Sequence, residues 1–406
     1  MTQSTETELP HWPPVNSARN PLTPLDDAER QRYAGPVTRV LLPTGATAWL
    51  VSRHAEVRQV LRHPAFSSDL NRPGFPLLRP LPPEATRDFR GAFLQMDGAA
   101  HIRLRRMLTA EFMIKNVRRI EPLIHRTVDE ALAELAATGP PADLVSTVAL
   151  PLPSKVICHL LGVPYADHDF FQSRSRLLLD RRVPAEQLQQ AAQELRDYLR
   201  SLIDAKRTRN GDGDLLSRLV RERVEPGELD VDELVGMALL LLIAGHETTA
   251  NMLGLSVLLL TRHPGRYTLL RDRPDLAPGM VDELLRYLSI VRNGLFRAAT
   301  EDVEIGGRLI RAGEGVIALI SLANRDAEVF DDPDGFDPYR EAQQHLAFGF
   351  GVHQCIGQPL ARAELRITLV ELARRFPDLR VTADLHELAT RDSSIVFGLD
   401  TLPVTW

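Results

Sequence analysis

The chain has 406 residues, 44% of them apolar and 25% charged, enough for a large buried core and too long for a minimal binding module. Its 48 basic and 54 acidic side chains leave a net charge of −6, so the overall field disfavours nucleic acid and anionic membrane as partners. Two cysteines cannot build a disulfide framework, which fits a reducing compartment.

At the N-terminus, MTQSTETELPHWPP lacks the basic start and apolar core of a signal peptide, and a cytoplasmic protein is expected. Proline-rich stretches at Pro10–Pro24 and Asn71–Glu84 read as rigid loops. Between them RVLLPTGATAWLV, Arg39–Val51, reads as a hairpin turning at Pro43–Gly45. Apolar residues then recur at helical spacing over about 101–137, 154–161, 186–207, 231–262 and 279–288. Within Val231–His263 the uninterrupted apolar part, Leu234–Gly245, is about 12 residues, short of the ~20 that cross a bilayer. A buried helix is therefore expected, and no membrane span. DVEIGGRLI and GEGVIALI read as a second strand pair around Gly306–Gly307, and Leu360, Ala363, Ile367, Val370 and Ala373 mark a last helix. With no linker or repeat to divide it, the chain is expected to be one domain over 1–406, mainly α with a minor antiparallel β part.

Several polar groups interrupt this pattern. Cys158, in KVICHLLG, reads as a small buried thiol. AGHETT, Ala244–Thr249, sets His, Glu and two Thr in the most apolar helix, a costly arrangement unless they are paired or hydrated. It is no zinc signature, because Ala250 stands where H-E-x-x-H needs its second histidine. A threonine there can bond back one turn and bend the helix, and Gly245 leaves room beside the axis. Glu283 and Arg286 in DELLRYL lie one helical turn apart, and HIRLRR (His101–Arg106) opens a basic helix.

FGFGVHQCIG, Phe348–Gly357, sets Cys355 among Gly349, Gly351 and Gly357, just before a helix expected near Gln358. Glycines let the backbone bend and approach a bulky partner, and the helix N-terminus favours thiolate over thiol. Such a cysteine suits a nucleophile, a redox thiol or a metal ligand. A dinucleotide fingerprint fails, since Gln354 stands where its last glycine would be. His353, two residues away in a tight loop, is poorly placed as a base for nucleophilic chemistry, and a haem thiolate is the third reading.

The segment resembles the haem-ligand loop of the cytochrome P-450 haem-thiolate monooxygenases, Phe-x-x-Gly-x-x-x-Cys-x-Gly, with Phe348, Gly351, Cys355 and Gly357 at every fixed position. DELLRYL with FDPYR is similar to the family's Glu-x-x-Arg element completed by Arg340, and ANRD (Ala323–Asp326) also matches. PLPSKVICHLLGVPYADH, LLLIAGHETTAN and HLAFGFGVHQCIGQ are most similar to soluble actinobacterial members that tailor secondary metabolites or oxidise xenobiotics.

The resemblance implies the cytochrome P-450 fold, haem b ligated by Cys355, and propionates bound by His101, Arg105, Arg297 and His353. It assigns Thr248 to hydrogen-bonding dioxygen and Glu247 to proton delivery through water. The implied reaction inserts one oxygen atom from dioxygen into a medium or large hydrophobic small molecule, by hydroxylation. The same chemistry could serve epoxidation, oxidative coupling or peroxide-driven oxidation; a non-enzymatic haem-thiolate carrier or sensor fits the acid–alcohol pair less well. Electrons are expected from NAD(P)H through a ferredoxin and its reductase. Arg362, Arg366, Arg374 and Arg375, with Arg103 or Arg106, are candidates for a docking patch. Substrate contacts are expected from Arg72–Leu94, Phe170–Val183, Leu239–Ala244, Ile290–Phe296 and Ser393–Phe397, with the arginines at 174, 176, 181 and 182 raising the thought of an acidic substrate.

Overall fold

The helix Val231–Thr261 is the axis of the fold. The computed structural model describes residues 9–14, 20–33, 35–80, 90–208 and 213–406. Asp230 caps this helix: its carboxylate accepts from the Glu233 N–H, and the Glu233 side chain accepts from the Asp230 N–H. Apolar residues on every side bury it along most of its length. By length and composition it could cross a membrane, yet 67% of its apolar window is buried against the rest of the protein. Helices Pro151–Leu161, Ala185–Thr208 and Gln358–Arg375 supply that cover.

Gly245 is where one of them comes closest. A Cβ there would stand 2.8 Å from the Ile157 side chain, so the glycine admits the neighbouring helix. The room expected beside the axis is filled by Ile157.

Most helices fall where periodicity places them: Pro151–Leu161, Ala185–Thr208, Val231–Thr261, Ala277–Leu288 and Gln358–Arg375. The stretch read as one helix over 101–137 is two, Gly98–Thr109 and Ile114–Thr138. Met113 is extended at the break (ψ 145°). Nothing in AEFM signals this, since no residue in it is a helix breaker. Helices His54–Arg62 and His168–Leu179 were not anticipated.

The sheets are small. β1 (Val37–Leu41) and β2 (Thr47–Val51) form the expected hairpin, and β6 (Val303–Ile305) and β7 (Arg308–Ile310) pair across Gly306–Gly307. β8 (Gly315–Ala318) leaves them and joins a five-stranded sheet ordered β1-β2-β8-β5-β3, with β5 at Leu295–Ala299 and β3 at Phe66–Ser67. Its pairing with β2 is parallel, which makes this sheet mixed, since hairpin turns at Pro43–Gly45 and Gly306–Gly307 report local pairings alone. A further sheet joins β4 (Ala142–Asp143), β10 (Pro403–Thr405) and β9 (Arg380–Val381).

Candidate functional site

The Cys355 loop is shaped by backbone that only glycine adopts freely. Gly349 and Gly351 have φ of +70° and +76°, and a Cβ on Gly351 would stand 2.7 Å from the Leu61 carbonyl oxygen. The loop therefore lies against the end of helix His54–Arg62. Within it the Cys355 N–H donates to the Phe348 carbonyl at 2.8 Å, and the Arg362 guanidinium sits 4.7 Å from the Phe348 ring centroid. Gly357 is the N-cap residue of helix Gln358–Arg375, and the backbone N–H groups of Gly357 and Gln358 donate to the Cys355 sulfur.

Cys355 has an accessible face, although protein is packed densely around the rest of it. That enclosure pushes the thiol up, and it outweighs the two N–H donors and the charges of Arg105 and Arg362, which pull the other way. The helix N-terminus alone thus does not yield the thiolate that the sequence suggests. A cation facing the sulfur would. Cys158, by contrast, is fully enclosed, with burial pushing its thiol up to about 12.

Beside the loop the chain gathers four basic side chains from three separate elements. His101 and Arg105 come from helix Gly98–Thr109, Arg297 from β5 and His353 from the loop itself. The His101 and His353 rings lie 4.1 Å apart. His101 is 1% exposed, and its Nε2 has no hydrogen-bond partner. Burial, with His353 and Arg105 nearby, lowers it to about 4. Arg297 is buried and donates to the Phe296 carbonyl, with burial lowering it to about 10. Arg105 donates to the Gln354 carbonyl at 2.5 Å.

Asp97 is the carboxylate in this group. Burial works against its charge, but His353, the Ser67 hydroxyl and the Ser68 N–H hold it well below the usual carboxylate range. Four basic groups thus face one carboxylate that is already engaged. A macrocycle carrying two propionates fits this donor set, and so does the accessible sulfur nearby.

Glu247 and Thr248 diverge, because adjacent residues on a helix point about 100° apart. The Thr248 hydroxyl donates to the Ala244 carbonyl at 2.7 Å, on a face where Ala244 is exposed although the helix is otherwise largely buried. Glu247 is 1% exposed and turned away from that opening. Its Oε2 accepts from Arg391 Nη1 at 2.8 Å, while its Oε1 lies 3.9 Å from Arg176 Nε and 3.8 Å from His246 Nε2. It borders a separate polar pocket of about 190 Å³ with Arg176, Asp180, Arg391, Ser393 and Asp400. The helix keeps its helical backbone through this segment.

A larger cavity of about 380 Å³ opens on the other side, against Leu239, Leu240 and Ile243 of the axial helix and against Phe296. All five expected contact segments reach it, through Phe75, Leu94, Leu178, Leu240, Phe296 and Ile395 among others. Residues 81–89 of the first segment lie outside the described residues. The sequence reading missed a wall contributed by helix Ala185–Thr208, where Leu188, Ala192 and Arg196 line the cavity. A second, weaker apolar row at i, i+4 was the signal available.

The Glu283–Arg286 spacing is a buried fork, with both residues 0% exposed. Arg286 Nε and Nη2 donate to the two Glu283 oxygens at 2.6 and 2.7 Å, and Arg340 Nε adds a third contact at 3.2 Å.

Glu364, on helix Gln358–Arg375, is 2% exposed, and burial pushes its carboxyl up to about 8 despite a hydrogen bond with Thr249. Unfolded, it would ionise near ~4.3, so between these values the folded state holds a proton that the unfolded state has released. Stability then falls as pH rises through this window, by up to about 1.4 kcal/mol per pH unit. Glu364→Gln is expected to remove that slope from urea unfolding curves; an unaltered slope would show the carboxyl ionised in the fold.

Known proteins resemble this chain in sequence and in overall fold. The profile of the cytochrome P-450 family matches residues 168–272 and 266–381. Pentalenic acid synthase of Streptomyces avermitilis is 48% identical over 386 residues, 95% of each chain. Vitamin D3 dihydroxylase of Streptomyces griseolus is 46% identical over 400 residues, 98% of each chain. The crystal structure of mycinamicin VIII C21 methyl hydroxylase from Micromonospora griseorubida, bound to mycinamicin VIII, superposes with a TM-score of 0.91 at 43% identity, covering 98% of this chain and 100% of that one.

Proposed function

The chain belongs to the cytochrome P-450 family, and from that membership we propose that Cys355 is the thiolate ligand of its haem, with His101, Arg105, Arg297 and His353 holding the propionates. The protein is a haem-thiolate monooxygenase, an oxidoreductase that uses haem b, dioxygen and electrons derived from NAD(P)H. Bound haem supplies dioxygen activation and insertion of one oxygen atom into the substrate. Support for the ligand assignment comes chiefly from one observation: Cys355 presents an accessible sulfur to which two backbone N–H groups donate, beside four basic side chains short of carboxylates.

The protein's own groups hold substrate and protons. The apolar walls around Leu239, Leu240, Ile243 and Phe296 exclude water and select a hydrophobic molecule that fits about 380 Å³. Thr248 Oγ1, with its hydrogen committed to Ala244, presents lone pairs to the opening; to pass a proton it must exchange that acceptor. Glu247 can resupply the proton only by loosening its bond to Arg391 and drawing on water in the adjoining polar pocket.

Relatives named for pentalenic acid, vitamin D3 and mycinamicin support hydroxylation of a secondary metabolite or xenobiotic. A ferredoxin and its reductase are the proposed electron donors. Of the arginines suggested for docking, five are engaged internally, Arg362 with Asp282, Arg366 with Glu121, Arg374 with Glu371, Arg375 with Asp129 and Arg103 with Glu233, while Arg106 is exposed and makes no ion pair among the described residues. An acidic partner must compete with those carboxylates, so electrostatic docking there is weak. The proposed organisation is a single domain over 1–406, supported by relatives that match nearly end to end.

The test is expression with haem, followed by the ferrous-carbonyl spectrum and turnover with dioxygen, NADPH, ferredoxin and reductase. A colourless, folded protein would overturn the assignment. Positioned proton donors contribute on the order of 10²-fold or more. Thr248→Ala is therefore expected to lower product per reducing equivalent by at least about tenfold, while dioxygen consumption continues and hydrogen peroxide appears. Product at the parental level would remove Thr248 from proton handling.

A further inference from the structure

The large cavity is apolar in its walls but not in its charge. Among its described lining residues are three arginines, Arg79, Arg181 and Arg196, and no aspartate or glutamate. Arg196 also lines a small surface pocket with Asp232, whose charge it feels there. Arg79 and Arg181 form no ion pair with a carboxylate among the described residues, although the charge of Asp180 reaches both and that of Asp392 reaches Arg181 from outside the cavity.

Both are half-buried and held by main-chain carbonyls. Arg79 Nη1 donates to Asp180 O at 2.8 Å; Arg181 Nε and Nη2 donate to Ser393 O at 3.2 Å and Asp392 O at 2.9 Å. A guanidinium has five N–H donors, so each keeps several without a protein acceptor among the described residues. The two are close enough for the Arg181 charge to act on Arg79. Neither carboxylate lines the cavity: Asp180 accepts from the Arg182 N–H, is paired with the Arg182 guanidinium and borders the other pocket, while Asp392 accepts from the Thr390 hydroxyl. Of the four arginines flagged in this region of the sequence, only Arg181 lines the cavity. Arg174 is bound to Glu194, Arg176 lies by Glu247 and Arg182 by Asp180.

Two neighbouring guanidiniums at an apolar wall cost free energy unless an anion completes them. Their forks, already oriented by backbone, match a carboxylate. We infer that the substrate of this monooxygenase is an amphipathic organic acid, an apolar skeleton filling the cavity with a carboxylate held by Arg79 and Arg181. This rests on the cavity being the substrate site of the haem enzyme proposed above.

Calorimetry on the haem-loaded protein with three probes of one chain length, decanoate, 1-decanol and decyltrimethylammonium, tests the inference without turnover. An apolar cavity alone prefers the alcohol, since the carboxylate is costly to desolvate. Decanoate is expected to bind at least about tenfold tighter than 1-decanol, and the ammonium ion weakest. Arg79→Gln/Arg181→Gln is expected to erase the preference while leaving 1-decanol affinity in place. Arg181 also ties down the 392–394 segment, so Arg79→Gln alone, which gives up one carbonyl contact, is expected to narrow the preference several-fold in an intact fold. Equal or tighter binding of 1-decanol, preference for the ammonium ion, no binding of decanoate at millimolar concentration, or a decanoate preference that survives the double substitution would each overturn it. A ferrous-carbonyl spectrum from the same sample separates the two readings. An altered band sinks the thiolate assignment and leaves the acid preference standing; a thiolate band without acid preference sinks only this inference.

Discussion

Cys355→Ser is expected to yield a protein that no longer shows the red-shifted ferrous-carbonyl band of thiolate ligation and that forms no detectable monooxygenated product. The change is a single atom, and the backbone N–H groups of Gly357 and Gln358 would meet an oxygen as readily as a sulfur. Loss therefore reports ligation and not folding. Serine remains un-ionised where a cysteine beside a metal is deprotonated, so it donates far less electron density to the iron. Cys158→Ser is the matched control. That thiol is buried in the hydrophobic core, and its replacement is expected to cost some stability while leaving the band in place. A thiolate band that persisted in Cys355→Ser would place the ligand elsewhere.

The parts of the site that could be read directly are those contiguous in the chain. Phe348, Gly351, Cys355 and Gly357 fall within ten residues, and their backbone shape follows from glycine alone, as the positive φ of Gly349 and Gly351 bears out. His101, Arg105, Arg297 and His353 come together only through the fold. A family pattern could name them, but no spacing could, and their shortage of carboxylates is visible only once His101 Nε2 is seen buried without a partner. Glu247 shows the opposite failing. Its neighbour in sequence is Thr248, yet helical rotation sends its carboxylate to Arg391, which stands 144 residues further on. Gly245 was read as leaving room beside the helix axis, but sequence cannot report which neighbour approaches; the structure puts Ile157 there. β8 followed a hairpin signal that ended one turn too early, and its parallel partner β2 lies far upstream. In each case local chemistry was legible and the long-range partner was not.

That distinction carries most weight at Glu283 and Arg286, whose i, i+3 spacing usually describes a solvated pair worth a few tenths of a kcal/mol. Here both are fully buried, and Arg286 uses all five of its N–H donors: two on Glu283, two from Nη1 to Asn324 O and Pro333 O, and one from Nη2 to Gly335 O. Arg286→Met would leave the Glu283 carboxylate buried with Arg340 and the Asp337 N–H as its remaining partners, would strip the Asn324 and Pro333 carbonyls of their donor, and would leave the Gly335 carbonyl only a long contact of 3.5 Å from Arg340 Nη2. Breaking a buried pair in this way costs about 3–5 kcal/mol, against a total stability of about 5–15 kcal/mol. Arg286→Lys is expected to recover only part of this, since an ammonium offers three donors in place of a five-donor fork. The damage should reach the Cys355 loop, because Asn324, whose carbonyl Arg286 holds, accepts through Oδ1 from Leu346 N at 2.6 Å, and Leu346 O accepts from Gly349 N at 2.8 Å. Urea unfolding of the haem-loaded variant measures the first effect, and the share of carbonyl complex that has lost its thiolate band measures the second. A loss below about 1 kcal/mol would place the pair with exposed ion pairs, and an intact band beside a large loss would show that the loop holds its shape without this anchor.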